Sequence, residues 1–143
     1  MIFSDGLPEY GCPNAPPLAL GVPLPTVRAY DVAADYAQQG ERTLPAAVSS
    51  GLNLVRAYGA TQGRGYAVLL FNLAKSKPVT VSVRIAHAAK NTYTATETYY
   101  DKTIYDASRK NKWDPPVRRS LGTVKPTFDV TLTPWSMTAI VLR

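Results

Sequence analysis

The chain has 143 residues, of which 45% are hydrophobic and 18% charged, and its formal net charge is +6. This length fits one domain with enough chain to bury a core, and the composition is that of a globular protein rather than a disordered one. The longest apolar run, residues 67–71, is far shorter than a membrane span, and the single cysteine, Cys12, excludes an internal disulfide and a cysteine zinc site.

The first 25 residues contain half of the chain's twelve prolines. Proline lacks a backbone N–H and fixes φ, so this segment excludes a regular helix and a central strand. Apolar residues such as Ile2, Phe3 and Leu7 indicate that it lies irregularly against another surface. No basic region followed by an apolar stretch stands at the start, so the sequence shows no signal peptide.

Residues 26–39 form the only good helix candidate. Thr26 can cap the start, and Gly40 stands where helices commonly end. Apolar residues recur at spacings of three and four and form one stripe, made of Val27, Tyr30, Ala34 and Ala37. A helix of this length is marginal alone, so we expect the stripe to dock on a partner surface.

From Leu52 onward the sequence predicts strands joined by short connections. Three glycines in residues 59–65 indicate a hairpin connection, and residues 66–73, apolar on both faces, indicate a central strand. Residues 79–85 alternate between apolar and polar positions, as in a strand with one buried face. The predicted strands are 52–58, 66–73, 79–85, 92–100, 128–133 and 135–142.

The end of the chain indicates two strands separated by Pro134, which cannot donate to a sheet ladder. Apolar and polar residues alternate in 128–133, and Trp135 opens the closing strand, where we expect its indole to be buried. The whole pattern predicts an all-β fold, an antiparallel two-sheet β-sandwich with one N-terminal helix and an irregular proline-rich N-terminal segment. We divide the chain into residues 1–42 and 43–143.

Basic residues cluster in residues 109–125 against one acidic residue, Asp114; they are Arg109, Lys110, Lys112, Arg118, Arg119 and Lys125. Such a cluster fits an anionic partner, either a nucleic acid or an acidic polysaccharide. Pro115, Pro116 and Gly122 instead mark the stretch as a solvated loop. We prefer this interpretation, because no nucleic-acid motif accompanies the cluster.

Groups that could carry catalysis are few. His87 is the only histidine, and the sequence contains no nucleophile elbow, phosphate loop or common metal motif. A glycosidase site needs two carboxylates about 5 to 10 Å apart, and the spacing of Glu9, Glu41 and Glu97 indicates no such pair. We therefore predict no catalytic residue, no metal site and no cofactor.

Aromatic residues are concentrated around a loop at residues 101–106, and they are Tyr99, Tyr100, Tyr105 and Trp113. Proteins bind sugars by stacking aromatic rings on the apolar faces of the sugar and by hydrogen-bonding its hydroxyls. Tyr100, Tyr105 and Trp113 are therefore the candidate carbohydrate-binding residues. Core or edge packing is the alternative role for aromatic residues on strands.

The strands and the ending LTPWSMTAIVL, residues 132–142, resemble the carboxyl-terminal β-sandwich of (β/α)8-barrel retaining glycoside hydrolases. This group includes cellulases, xylosidases, glucuronidases and arabinofuranosidases. A P-W-S-x-x-V-x-x-L ending is common there, after a strand like residues 66–73 that ends in an asparagine. Residues 100–123 resemble the long loop before the last strands, and residues 1–40 resemble the end of the barrel.

This resemblance implies a non-catalytic accessory domain or fragment of a polysaccharide-degrading, extracellular enzyme, in which the sandwich braces the barrel and contacts glycan. The two catalytic glutamates of the family lie on upstream barrel strands, and no residue here matches them, so we expect no activity from this chain alone. An independent carbohydrate-binding module is the alternative interpretation. An autonomous glycosidase built on Glu9, Glu41 or Glu97 is a third.

The expected partners follow from the same resemblance. They are a polysaccharide or oligosaccharide and the catalytic barrel, with no nucleic acid and no membrane. The helix stripe and the apolar residues of the first segment would be exposed without a barrel, so we also predict self-association through residues 1–40.

Overall fold

Two helices and eight strands lie in the described part of the chain, residues 25–38, 40–108 and 114–143 of a computed structural model. In chain order they are α1 (Pro25–Tyr36), β1 (Thr43–Leu44), β2 (Val55–Gln62), β3 (Gly65–Asn72), β4 (Val79–Arg84), β5 (Tyr93–Tyr100), α2 (Lys102–Ser108), β6 (Val117–Val124), β7 (Thr127–Leu132) and β8 (Ser136–Leu142). The expectations for the proline-rich residues 1–24 and for Trp113 lie outside the described residues.

The described strands pair antiparallel and form two sheets. The larger sheet has the order β1-β2-β3-β8-β5-β6, and β4 and β7 form a separate two-stranded sheet. Alternate side chains of both sheets fill the space between them, including Leu70, Val81 and Ile140. The predicted antiparallel sandwich is confirmed, with its core on the inner face of the larger sheet. The division into residues 1–42 and 43–143 stays a prediction.

The predicted central strand is confirmed as β3, which lies between β2 and β8. Gly65 at its start allows a close approach, because a Cβ there would lie 1.8 Å from the Leu142 carbonyl oxygen. The hairpin connection is shorter than residues 59–65, the range predicted for it. β2 takes up most of that range, and only a two-residue turn remains, in which Gly63 has a φ of 56°. Positive φ is typical of such tight hairpins.

Helix α1 lies on the outer face of the larger sheet, opposite the core, where it contacts β8, β5 and β3. Val32 is fully buried there in a cluster with Leu69 and Ala139. The helix spans Pro25–Tyr36 rather than the predicted 26–39. Its first residue is a proline, which suits the start of a helix because that N–H has no intrahelical partner in any case.

Polar contacts also fix α1 to the sheet. The Thr98 hydroxyl donates a hydrogen bond to the Asp35 carboxylate, and the Gln62 side-chain amide donates to the Asp35 carbonyl oxygen at 2.8 Å. The Tyr36 hydroxyl donates to the Gly59 carbonyl oxygen at 3.0 Å. The side of the helix that meets the sheet therefore combines apolar and polar groups.

The stripe predicted for this helix is wrong. Its members are Val27, Tyr30, Ala34 and Ala37, and all but the first are exposed. The contacting side instead includes Val32 and the polar groups of Asp35 and Tyr36, so apolar spacing alone pointed to a different side. The helix docks on the sheet of its own chain rather than on a partner surface.

Two elements form where the sequence predicted loops. Helix α2 takes up most of the loop expected at residues 101–106, and β6 lies in the stretch that we interpreted as a solvated loop. β6 is an edge strand whose side chains, including Arg118 and Arg119, are mostly exposed. It therefore lacks the apolar alternation that would predict a strand. Gly122, which we took as a loop signal, has a φ of 73° beside a register irregularity of the β5–β6 pair.

Candidate functional site: an apolar patch at one end of the larger sheet

The two predicted carbohydrate-binding residues that the structure describes are Tyr100, at the end of β5, and Tyr105, in α2. Tyr100, the last residue of β5, is buried on the outer face in the cluster of Val32 and Leu69, and the half-buried Tyr105 packs against that cluster. Trp113 lies outside the described residues. Glycan binding by this set stays a prediction, and the burial of the Tyr100 ring argues against a stacking role for that residue.

Asp101 begins α2. Its carboxylate accepts a hydrogen bond from the Ile104 N–H at 2.9 Å, as an N-cap residue does. At the other end, the Ser108 hydroxyl donates to the Ile104 carbonyl oxygen at 2.6 Å and accepts from the Asp114 N–H at 2.9 Å. Asp101 is thus the sequence signal that could have predicted this helix.

The Tyr100 hydroxyl is poorly accommodated. Burial raises its pKa above the ordinary tyrosine value, and the nearby Ser108 hydroxyl offsets only part of this rise in pKa. The Ser108 hydroxyl already donates to Ile104, and Tyr100 Oη has no hydrogen-bond partner among the described residues. A buried hydroxyl without a partner costs about 1–3 kcal/mol, so the Tyr100 hydroxyl destabilises the cluster of Val32 and Leu69 in which it lies.

Three large apolar side chains are exposed together where β2 begins and β3 ends. Trp135 is 54% exposed, Leu54 52% and Leu73 46%. Two backbone hydrogen bonds join their chain segments: the Leu73 N–H donates to the Leu54 carbonyl oxygen at 2.8 Å, and the Trp135 N–H donates to the Ala74 carbonyl oxygen at 2.9 Å. We call Leu54, Leu73 and Trp135 the end patch. Contiguous exposed apolar groups mark interaction surfaces, whereas single ones need no explanation.

The exposure of Trp135 follows from its backbone conformation. The residue has a φ of 46° in the turn between β7 and β8, in the left-handed region that costs a residue other than glycine about 1–2 kcal/mol. Ser136 then begins β8 and is buried. Our expectation of a buried indole is wrong, because the closing strand starts one residue later than predicted and the indole lies in the turn.

A buried amide holds this turn in place. Asn72, the last residue of β3, is completely buried. Its Nδ2 donates to the carbonyl oxygens of Thr133 at 2.9 Å and Lys77 at 3.0 Å, with a longer contact of 3.3 Å to that of Leu132. Its Oδ1 accepts from the Ala74 N–H at 3.0 Å. One side chain thus joins the end of β3, the following loop and the turn that carries the indole.

Two of the three carboxylates considered for catalysis have structural partners. Glu97 is buried and ion-paired with Arg119 of β6, and this hydrogen bond raises the pKa of the Arg119 guanidinium. Glu41 accepts a hydrogen bond from the Gly63 N–H at 3.0 Å and so holds the β2–β3 turn. Glu9 lies outside the described residues.

Few other side chains in the described part of the chain could act in catalysis or bind a metal ion. His87 is exposed, with a φ of 54°, just beyond β4. Residues 25–38, 40–108 and 114–143 contain no group of three His, Cys, Asp or Glu side chains that could hold a metal ion. Neither α1 nor α2, the helices of those residues, is long and apolar enough to cross a membrane.

No family model matches this sequence, and no curated protein matches it. Solved structures do match its fold. A glycoside hydrolase family 30 endoxylanase from Clostridium papyrosolvens C71 matches with a TM-score of 0.58 and 12% identity, over 77% of this chain and 25% of that chain. A family 30 subfamily 8 xylanase from Clostridium acetobutylicum gives a TM-score of 0.55 and 12% identity, over 76% and 25% of the two chains.

A third structure, a glycoside hydrolase family 44 endoglucanase from Clostridium acetobutylium ATCC 824, matches with a TM-score of 0.51 and 14% identity, over 65% of this chain and 17% of that chain. The chain therefore spans a quarter or less of the length of these three enzymes. The resemblance seen in the sequence is confirmed at the level of the fold: this chain folds like one part of glycoside hydrolases of families 30 and 44.

Proposed function

We propose that this chain is a non-catalytic accessory β-sandwich of a polysaccharide-degrading glycoside hydrolase, and that it braces the catalytic barrel through the end patch. The observation that carries this proposal is the exposure of Trp135 beside Leu54 and Leu73, in a fold that occurs as part of glycoside hydrolases. The catalytic glutamates and the barrel then belong to the rest of the enzyme, which acts outside the cell.

The end patch has properties that suit the centre of an interface. Tryptophan is enriched among the residues that dominate binding energies. The hydrogen bonds of Asn72 fix the Trp135 turn before any partner arrives, so little conformational entropy is lost on binding. Phe71 and Met137, which are paired on β3 and β8, are half-buried and pack against the cluster of Val32 and Leu69.

Glycan contact is a second part of the proposal. Tyr105 retains exposed surface at the end of the sheet where β5 runs into α2. The exposed Trp135 ring could itself stack on a sugar, which makes an independent carbohydrate-binding module the second candidate function. Self-association through residues 1–40 is less favoured, because α1 already buries Val32 on its own sheet.

The test of the bracing role begins with the coding sequence upstream of Met1. A barrel encoded there is co-expressed with the tagged chain, its Trp135→Ser variant and a matched Tyr58→Ser control, which replaces an equally exposed aromatic ring further along β2. We expect the chain and the control to capture the barrel and Trp135→Ser to bind it at least tenfold more weakly. A barrel that neither binds the chain nor gains stability from it would contradict the proposal.

Pull-down on cellulose, xylan and chitin distinguishes the second candidate. Binding of the chain alone to one of these polymers, lost in Trp135→Ser and kept in Tyr58→Ser, would identify a carbohydrate-binding module. A chromogenic glycoside assay on the purified chain tests the expectation that the chain has no activity by itself.

A further inference from the structure

The end of the sandwich opposite the end patch is basic. Because neighbouring strands are antiparallel, the larger sheet brings the β2–β3 turn, the start of β5 and the ends of β6 and β8 together there. The end of β4 joins them, since the Ile85 N–H donates to the Pro126 carbonyl oxygen at 2.8 Å in the turn after β6. We call the six exposed basic residues beside these strand ends the basic end; they are Arg42, Arg64, Arg84, Lys90, Lys125 and Arg143.

Backbone contacts bring these residues together from distant parts of the chain. Arg143 exchanges two backbone hydrogen bonds of 3.0 Å with Thr94, at the start of β5. A Cβ on Gly65, which follows the β2–β3 turn, would lie 3.3 Å from the Arg143 Cα. The Arg42 carbonyl oxygen accepts from the Thr61 N–H at 2.9 Å, near the same turn. The basic end is therefore a product of the fold.

The basic cluster seen in the sequence at residues 109–125 is a different set. Strand β6 separates its described members, because Arg118 and Arg119 lie near the start of the strand and Lys125 directly follows its last residue. Only Lys125 belongs to the basic end. The sheet thus disperses one cluster that is close in sequence and assembles another from separate segments.

The positive charges at the basic end are not neutralised by neighbours. Within residues 25–38, 40–108 and 114–143, no acidic side chain forms an ion pair with any of the six. Glu41, which precedes Arg42, instead accepts hydrogen bonds of 3.0 Å from the Gly63 N–H and the Thr61 hydroxyl. Like charges gathered in this way repel one another, so a bound polyanion would relieve the repulsion.

We propose that the basic end binds a linear acidic polysaccharide, one that carries a carboxylate on most of its sugar units. The proposal rests on the proposed function and deepens its second part, glycan contact, by naming a surface and a class of glycan. Four of the six residues are arginines, whose guanidinium groups bind carboxylates through two parallel hydrogen bonds. The row of strand ends from β3 to β6 spans about 14 Å, which accommodates a few sugar units in line.

The arrangement of the cations favours a chain of anions. They are exposed and spread along the strand ends rather than directed into one pocket, so each can contact a different unit of a polymer. A single-stranded nucleic acid fits less well, because such strands stack their bases on aromatic side chains. The large exposed aromatic residues of the described chain are Tyr30 on α1, Tyr58 in the middle of β2 and Trp135 in the end patch.

The test measures binding to the full chain by isothermal titration calorimetry. The probe is oligogalacturonate, which carries one carboxylate on each sugar unit, and neutral xylo-oligosaccharide is the control ligand. We expect only oligogalacturonate to bind at this surface. Its affinity should fall at least tenfold between about 50 and about 200 mM salt, because binding to a polyanion releases counterions.

A matched pair of triple variants locates the surface. Each variant replaces three exposed basic residues by serine and lowers the net charge by three, so the two differ in which end of the sheet loses charge. At the basic end the changes are Arg64→Ser, Lys125→Ser and Arg143→Ser. At the opposite end they are Lys75→Ser, Lys77→Ser and Arg118→Ser. We expect the first variant to bind oligogalacturonate at least tenfold more weakly and the second to bind it like the native chain.

NMR of the native chain gives the same information without any substitution, should a variant fail to fold. Oligogalacturonate should shift the amide signals of Gly63 and Thr94, which lie among the basic residues. The amide signals of Asn53 and Ala74, beside the end patch, should stay unchanged.

The remaining outcomes would overturn the inference. Equal weakening in both triple variants would show that binding follows the overall charge of the chain. Tighter binding to a DNA oligonucleotide or to phosphatidylserine vesicles than to oligogalacturonate would identify a nucleic acid or a membrane surface as the partner. Absence of oligogalacturonate binding with intact barrel capture would contradict only this inference, and the reverse result would contradict only the bracing role.

Discussion

The two faces of the larger sheet are covered in different ways. The inner face packs against β4 and β7 mainly through a large apolar cluster that includes Leu70 and Ile140, with the buried Asn72 amide at one end of it. The outer face is covered by α1 and α2, and its smaller apolar cluster around Val32 and Leu69 is bordered by hydrogen bonds. One sheet is thus stabilised by apolar burial on one side and by a cluster positioned by polar contacts on the other.

The largest expected effect compares one buried side chain from each face. Ile140→Ala on the inner face should lower the free energy of unfolding by about 3–5 kcal/mol, and Leu69→Ala on the outer face by about 2–3 kcal/mol. The reason is that Ile140 lies between two sheets, whereas α1 can shift into the space that Leu69 leaves. Urea denaturation with unchanged m-values measures both. Equal losses would show that the two faces contribute alike.

Substitution of two tyrosines on the outer face should change the free energy of unfolding by a smaller amount. Tyr36→Phe removes the hydrogen bond to Gly59 and should cost about 1 kcal/mol. Tyr100→Phe removes a hydroxyl that has no partner among the described residues, so stability should stay the same or rise slightly. Urea denaturation at neutral pH measures both changes. A loss for Tyr100→Phe as large as that for Tyr36→Phe would contradict the view that its hydroxyl is unpaired.

The same two hydroxyls predict a pH dependence. Burial raises the pKa of both Tyr36 and Tyr100, so the folded state favours their neutral forms. Both hydroxyls are neutral in the folded and the unfolded state below the unfolded pKa of about 10, and stability is lost as the pH rises from there through the higher folded pKa. Unfolding measured on both sides of about pH 10 should show a steeper loss for the native sequence than for either phenylalanine variant.

The smallest effect on stability is expected at the end patch. Trp135→Ala should change the free energy of unfolding by less than about 1 kcal/mol, because the indole is largely exposed. Trp135→Gly should raise stability by roughly 0.5–1 kcal/mol, because glycine adopts the positive φ without strain. Thermal denaturation of both variants measures this. If Trp135→Ala lowers the free energy of unfolding by several kcal/mol, the indole is buried, as we expected from the sequence.

The sequence predicted the inner face well, because alternation at positions such as Val81 and Val83 reports directly on a half-buried strand. It failed on the outer face, where the contacting side of α1 includes Asp35 and a purely apolar stripe gives the wrong orientation. β6 was missed because an exposed edge strand has no buried side to impose a pattern.

The candidate site depended on geometry that no local pattern encodes. Leu54, Leu73 and Trp135 are far apart in the sequence and become neighbours only through sheet pairing. From the sequence, a tryptophan after a proline is expected to be the first residue of a buried strand. Only the backbone conformation of the turn shows that Trp135 precedes the strand. Tyr100 could be placed at the correct strand end, but its burial depends on the docking of α1.

Asn72 has a consequence for the order of folding. Its amide contacts a carbonyl group sixty positions later in the chain, and such a contact closes a long loop whose entropy must be lost first. The Trp135 turn should therefore assemble late, after β3 and β7 are in place, and the end patch should be complete only in fully folded molecules. A partner that recognises the patch would then discriminate against immature chains, so assembly itself would act as a check on folding.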